Sequence, residues 1–142
     1  MQSLSHQRLL SQFLSTSKSL EMAIKEMLSE TPINHTEFRL LRLLKEKEEM
    51  PIIALRKEVS LASSSGTYII DRLLNKGLVK RERRASDRRF YSVSLTEEGR
   101  RVIESTLPIY EEVIASFFGP LNEEEQEQFL RYLSALSSFE NK

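Results

Sequence analysis

The apolar residues of this chain keep a helical period almost from end to end and abandon it in one place, and that interruption constrains the fold more than any other feature. From Leu4 to Leu28, Leu9/Leu10, Phe13/Leu14, Leu20, Ala23/Ile24 and Met27/Leu28 recur every three or four residues, the spacing that lines up side chains on one face of an α-helix. The same spacing returns in Val102/Ile103, Leu107, Tyr110, Val113/Ile114 and Phe117/Phe118, and again in Phe129/Leu130, Leu133, Leu136 and Phe139. Between these stretches, Leu78 to Arg83 and Arg89 to Leu95 alternate instead, which is the period of a strand. The pattern predicts a mainly α chain holding one small two-stranded hairpin.

Local signals divide the helical stretches. Pro32 should end the first helix, and Asn34 with Glu37 has the form of a capping box opening a second, which carries Phe38, Leu40/Leu41 and Leu43/Leu44. Pro51 suits the first turn of a short third helix with Ile52, Leu55 and Val59. Ser63 to Ser65 are cap candidates for a fourth, which carries Ile69/Ile70 and Leu73/Leu74 and stops at Gly77, where a left-handed residue commonly closes a helix. The result is helix, short turn, helix, then a hairpin whose tip, Arg84-Ala85-Ser86-Asp87-Arg88, lacks the Gly or Asn that such turns favour. Thr96 followed by Glu97 and Glu98 starts a fifth helix, with a kink expected at Pro108 and a stop at Gly119-Pro120. Asn122 with Glu125 opens a sixth.

Composition removes several function classes. The 142 residues suit one domain, and 39% apolar with 30% charged residues describes a chain that folds. No apolar run approaches the roughly 20 residues a membrane span needs, and the N-terminus lacks a basic start with an apolar core, so no membrane association and a cytoplasmic location are expected. Cysteine is absent, which excludes disulfides, thiolate metal sites and thiol redox sensing. His6 and His35 have no second histidine at metal-binding spacing, so neither a metal site nor a cofactor is expected. With no Gly-rich phosphate loop and no isolated carboxylate dyad, no catalytic residue can be named and the chain does not read as an enzyme. The net charge is zero, but residues 51–96 hold ten basic side chains against four acidic ones, while residues 97–142 hold four against ten. Most of the basic excess lies in Arg72, Lys76, Lys80, Arg81, Arg83, Arg84, Arg88 and Arg89. So concentrated a basic segment suits a nucleic-acid partner.

Long helices flanking so small a module carry more apolar surface than it can cover, which predicts a homodimer with helices one, five and six interlocked about a two-fold axis. Over residues 52–95 the sequence turns specific: Ser63-Ser64-Ser65-Gly66-Thr67-Tyr68, Asp71-Arg72-Leu73, Lys76-Gly77-Leu78-Val79, then Asp87-Arg88-Arg89 and Leu95-Thr96-Glu97-Glu98-Gly99. This chain resembles the MarR family of bacterial regulators. The resemblance implies a winged helix-turn-helix dimer that binds pseudo-palindromic operator DNA, a double-stranded partner, and is commonly released by a small ligand or by oxidation. With no cysteine, a repressor released by a small-molecule effector is the expected form. The corresponding division is a single domain over 1–142, with 1–33 and 97–142 as dimerisation helices and 34–96 as the DNA-binding lobe. The alternative is a helical protein-interaction module without DNA binding.

Within the lobe, Ser63, Ser64, Ser65, Thr67 and Tyr68 are candidates for base-edge and backbone contacts, because small hydroxyl residues at a helix start can approach groove atoms closely. Capping alone would also account for the serines. Arg72, one turn on, is better placed for phosphate. At the wing, Arg88 and Arg89 can reach the minor groove, whose negative potential attracts guanidinium groups. The resemblance favours Arg89 as the inserted residue, with Asp87 orienting it. Arg84 is expected to contact phosphate. The effector site is not identified by the sequence; Phe13, Met27, Tyr110 and Phe117 are each read as core residues that could alternatively line one.

Overall fold

The computed structural model describes residues 2–62, 67–84, 86–87 and 89–139. The element order is α1 (Gln2–Leu28), α2 (His35–Lys47), β1 (Glu49–Pro51), α3 (Ile52–Ala62), α4 (Thr67–Asn75), β2 (Val79–Arg83), β3 (Tyr91–Leu95), α5 (Glu97–Phe118) and α6 (Glu123–Ser137). The chain forms two compact units, Met1–Tyr110 and Glu111–Lys142, with α5 running from the first into the second.

In the first unit the core is built from the apolar faces of α2, α3 and α4 and the inward side of the sheet, joined by Ile24 and Leu28 of α1 and by Ile103 and Tyr110 of α5. Phe38, Leu41, Leu44, Leu55, Leu73, Val93 and Ile103 are fully enclosed. α2 starts at the expected capping box: the Asn34 side chain accepts from the Glu37 N–H at 2.8 Å, and Glu37 Oε1 accepts from the Asn34 N–H at 2.9 Å. α1 stops at Leu28, four residues before Pro32, because the Thr31 N–H and hydroxyl both turn back onto the Leu28 carbonyl. α4 ends at Asn75, and the turn that closes it passes through Gly77, which takes φ of 73°. There the Gly77 N–H bonds to Leu74 O and the Leu78 N–H to Leu73 O, using carbonyls the helix would leave orphaned.

The hairpin is part of a larger sheet than alternation predicts. Its strands are joined by β1 in the order β1-β3-β2, all antiparallel, with Met50 opposite Val93 and Arg81 opposite Val93 from the other side. Pro51 therefore ends a strand, and α3 begins one residue later. After β3, Thr96 joins three segments. Its N–H donates to Leu78 O, its hydroxyl donates to Gly77 O at 2.6 Å, and that same hydroxyl caps α5 by accepting the Gly99 N–H. Gly99 is required there, since a Cβ would run into the backbone carbonyl of Leu78.

The second unit consists of the end of α5 and α6. Asn122 and Glu125 form the expected reciprocal cap, each bond 2.9 Å long. Phe117, Phe118 and Phe129 group their rings, but no residue of α6 is buried. Leu130, Leu136 and Phe139 are 64%, 65% and 80% exposed. On α1, in the first unit, Leu9, Leu10, Phe13 and Leu14 are also exposed.

Candidate nucleic-acid interface

The loop between β2 and β3 is closed by the Arg84 N–H on Phe90 O at 2.9 Å and the Phe90 N–H on Asp87 O at 3.1 Å. Within this loop the Asp87 carboxylate takes three bonds from one residue. Oδ1 accepts from the backbone N–H and from Nε of Arg89, both at 3.1 Å, and Oδ2 accepts from Nη2 at 3.0 Å. The parallel pair of guanidinium bonds fixes the plane of the group as well as its position. The Arg89 side chain is nevertheless 83% exposed, so it is held by its partner without being hidden. Hydrogen bonding by Arg89 keeps the Asp87 carboxyl below the usual carboxylate range, and the same bonds raise the Arg89 guanidinium. Arg84 is half-buried at the base of the loop.

On α4, Tyr68 is 69% exposed and Arg72, one turn later, is exposed too. Residues four apart share a helix face, so both project from the same side. Ser63, Ser64, Ser65, Gly66 and Arg88 lie outside the described residues, as does the side chain of Thr67.

Lys76, at the end of α4, behaves differently from the other basic residues around it. Its ammonium donates to both oxygens of Glu37, at 3.0 and 2.9 Å, and to the carbonyl of Pro32 at 2.7 Å. The Glu37 side chain is 1% exposed and also closes the α2 cap. One buried carboxylate thus ties the loop after α1, the start of α2 and the end of α4 together. Beside this junction a cleft of about 630 Å³ is lined by Lys25, Ile33, His35, Glu37, Arg72 and Lys76 among others. Phe13, Met27, Tyr110 and Phe117 are not among its lining. Tyr110 is a core residue, its ring tilted against that of Phe38 at a centroid distance of 4.2 Å and its hydroxyl 3.1 Å from His35 Nε2. Phe13 is exposed, while Met27 and Phe117 are half-buried.

Residues 33–90 match the MarR family. Over 95 residues the chain is 33% identical to the transcriptional regulator HosA of Escherichia coli O127:H6, a stretch covering 67% of this chain and 70% of HosA. The chain belongs to the MarR family. It is accordingly a MarR-family transcriptional regulator and not an enzyme. Two solved structures of MarR-like fold superpose over nearly all of it. A MarR family regulator from Streptomyces coelicolor in complex with DNA gives a TM-score of 0.81 at 23% identity, covering 94% of this chain and 86% of that one. BpsR of Bordetella bronchiseptica, solved to explain regulation of its DNA binding by 6-hydroxynicotinic acid, gives 0.76 at 21% identity, covering 92% and 93%. Among the described residues no helix of this MarR-family chain is long and apolar enough to cross a membrane.

The geometry brings Asp87 and Arg89 into direct contact and sets Tyr68 and Arg72 on one face of α4. Sequence reading missed Glu37 as the partner of Lys76, because 39 positions separate them. It also missed Tyr91, which lies at 4.4 Å and 5.5 Å from the guanidinium carbons of Arg81 and Arg83. The signal available for Tyr91 was an aromatic residue facing alternate arginines across a hairpin.

Proposed function

We propose that this regulator is a homodimer that binds a pseudo-palindromic operator in double-stranded DNA and acts as a repressor released by a small ligand. The observation carrying the reading is the wing tip, where Asp87 holds the exposed guanidinium of Arg89 at two points. A group presented in this way loses little conformational entropy on entering a minor groove. The exposed Tyr68 and Arg72 on α4 support a major-groove approach by that helix; Ser63, Ser64, Ser65 and Thr67 are proposed from the sequence as further contacts in that groove, Arg88 as a minor-groove candidate beside Arg89, and Arg84 as a phosphate contact.

Residues 1–142 are proposed as one functional domain, with 34–96 contacting DNA and the helical segments 1–33 and 97–142 making the dimer. The uncovered apolar residues of α1 and of α6 support this, because side chains such as Leu10, Phe13, Leu130 and Leu136 gain from burial against a second copy. Regulation of BpsR by 6-hydroxynicotinic acid supports a small-molecule effector here, and the cleft beside Lys76 gives one a volume to occupy.

The test is retardation of genomic DNA fragments at several salt concentrations, with sedimentation of the free protein. A dimer that shifts particular fragments, with affinity falling steeply as salt rises, is the expected result. A monomer, or a protein that shifts no fragment at low salt, overturns the reading and favours a protein-interaction module.

A further inference from the structure

The two faces of β2 carry charge in opposite ways. On one, Lys80 and Glu82 pair at 3.3 Å and neutralise each other. On the other, Arg81 and Arg83 have no carboxylate at ion-pair distance among the described residues. Both instead converge on Tyr91 of β3, which sits opposite Arg83 in the register. The Arg81 guanidinium carbon lies 4.4 Å from the ring centroid, and Arg83 Nε donates to the Tyr91 hydroxyl at 3.2 Å. That bond also draws the Tyr91 hydroxyl below its usual range.

We propose that Arg81 and Arg83, arrayed on Tyr91, form a second DNA contact that grips the sugar-phosphate backbone alongside the groove entered by the wing tip. The guanidinium carbons of Arg81 and Arg83 lie 4.4 Å and 5.5 Å from the centroid of one ring, which gathers two positive charges into a single patch on the strand. β2 leads directly into the loop carrying Asp87 and Arg89, so a tip inserted in a groove brings the arm of the hairpin over the backbone that borders it. Guanidinium groups match phosphate oxygens in pairs. The aromatic ring holds them in place without cancelling their charge, as a carboxylate would.

The proposal rests on the DNA-binding reading, and its test separates the two. The probe is a duplex recovered by selection from a random-sequence library, used both trimmed to the selected site and extended by one helical turn at each end. Arg81→Gln/Arg83→Gln is expected to weaken binding to the extended duplex at least tenfold and to reduce the salt slope, by up to about 0.9 for each phosphate that is no longer neutralised. The trimmed duplex should be affected less. Tyr91→Leu keeps both charges, so it should weaken binding several-fold with an unchanged salt slope, while Tyr91→Phe, which keeps the ring, should recover most of the affinity. Unaltered thermal melts of all three variants confirm that the sheet is intact. If the double variant binds both duplexes as tightly as the parent while Arg89→Ala binds weakly, the strand face is not a contact and the wing-tip reading survives. If no duplex is recovered by the parent protein, the DNA-binding reading and this proposal fall together.

Discussion

Two ion pairs in the first unit use the same chemistry for opposite ends. At the end of α4, Lys76 meets a carboxylate that is almost wholly enclosed and that already closes a helix cap, and a backbone carbonyl takes its remaining reach. Its charge is consumed in holding three segments together. At the wing, Asp87 is only partly covered and Arg89 is open to solvent, so the pair sets the direction of a charge that remains available. A count of basic residues treats Lys76 and Arg89 alike. The burial of the acid partner separates them, because a carboxylate out of water must be paired, whereas an exposed pair contributes little to stability.

The comparison breaks first, and with the largest effect, at Glu37. Glu37→Ala removes the reciprocal half of the α2 cap and strands a part-buried ammonium, so unfolding free energy should fall by roughly 2–4 kcal/mol, read from urea denaturation. A loss within about 0.5 kcal/mol, the range of an ordinary surface substitution, would show that the junction is not held by this pair. Arg89→Ala should do the reverse. Its melting curve should match the parent, while operator affinity falls by roughly 1–3 kcal/mol, about 5- to 150-fold, in fluorescence anisotropy. Retention of affinity within a factor of about two would remove Arg89 from the interface.

The smallest effect sharpens the picture of the enclosed region. Burial, and after it the charge of Arg39, hold His35 below its ordinary 6.5, against an opposing pull from Glu21. The unfolded chain therefore takes up the proton first as pH falls. Stability from this group is full above 6.5, declines below that value, and levels off once the folded-state value is passed. Thermal melts between pH 8 and 5, compared with those of His35→Gln, should show part of this decline missing in the variant. Identical pH profiles would mean that His35 contributes nothing to it.

What could be read in advance follows the distance between interacting residues along the chain. The caps at Asn34/Glu37 and Asn122/Glu125, the left-handed close at Gly77 and the start of α5 at Thr96 are made within a few positions, so residue types at fixed spacing reveal them. Asp87 and Arg89 are also two apart, but their pairing was expected from the resemblance to the MarR family and not from spacing alone. β1 was not legible, since three residues ending in Pro51 show no alternation, and their pairing is supplied by β3 some 40 residues later. The Lys76–Glu37 pair and the Arg81–Tyr91–Arg83 group escaped because burial and cross-strand register decide them. The Leu-Thr-x-x-Gly motif could be seen but not explained until the Leu78 carbonyl was found where a Gly99 side chain would lie.

The central claim is that one pair aims a charge where the other consumes it, and Asp87 tests this by sign. Asp87→Ala deletes a negative charge from a surface proposed to face a polyanion, so electrostatics alone predicts tighter binding. If the carboxylate aims Arg89, the loss of its three bonds to that residue outweighs the charge gained. Operator affinity measured by fluorescence anisotropy at a fixed salt concentration should then be weaker than that of the parent. Tighter binding by Asp87→Ala would contradict the account.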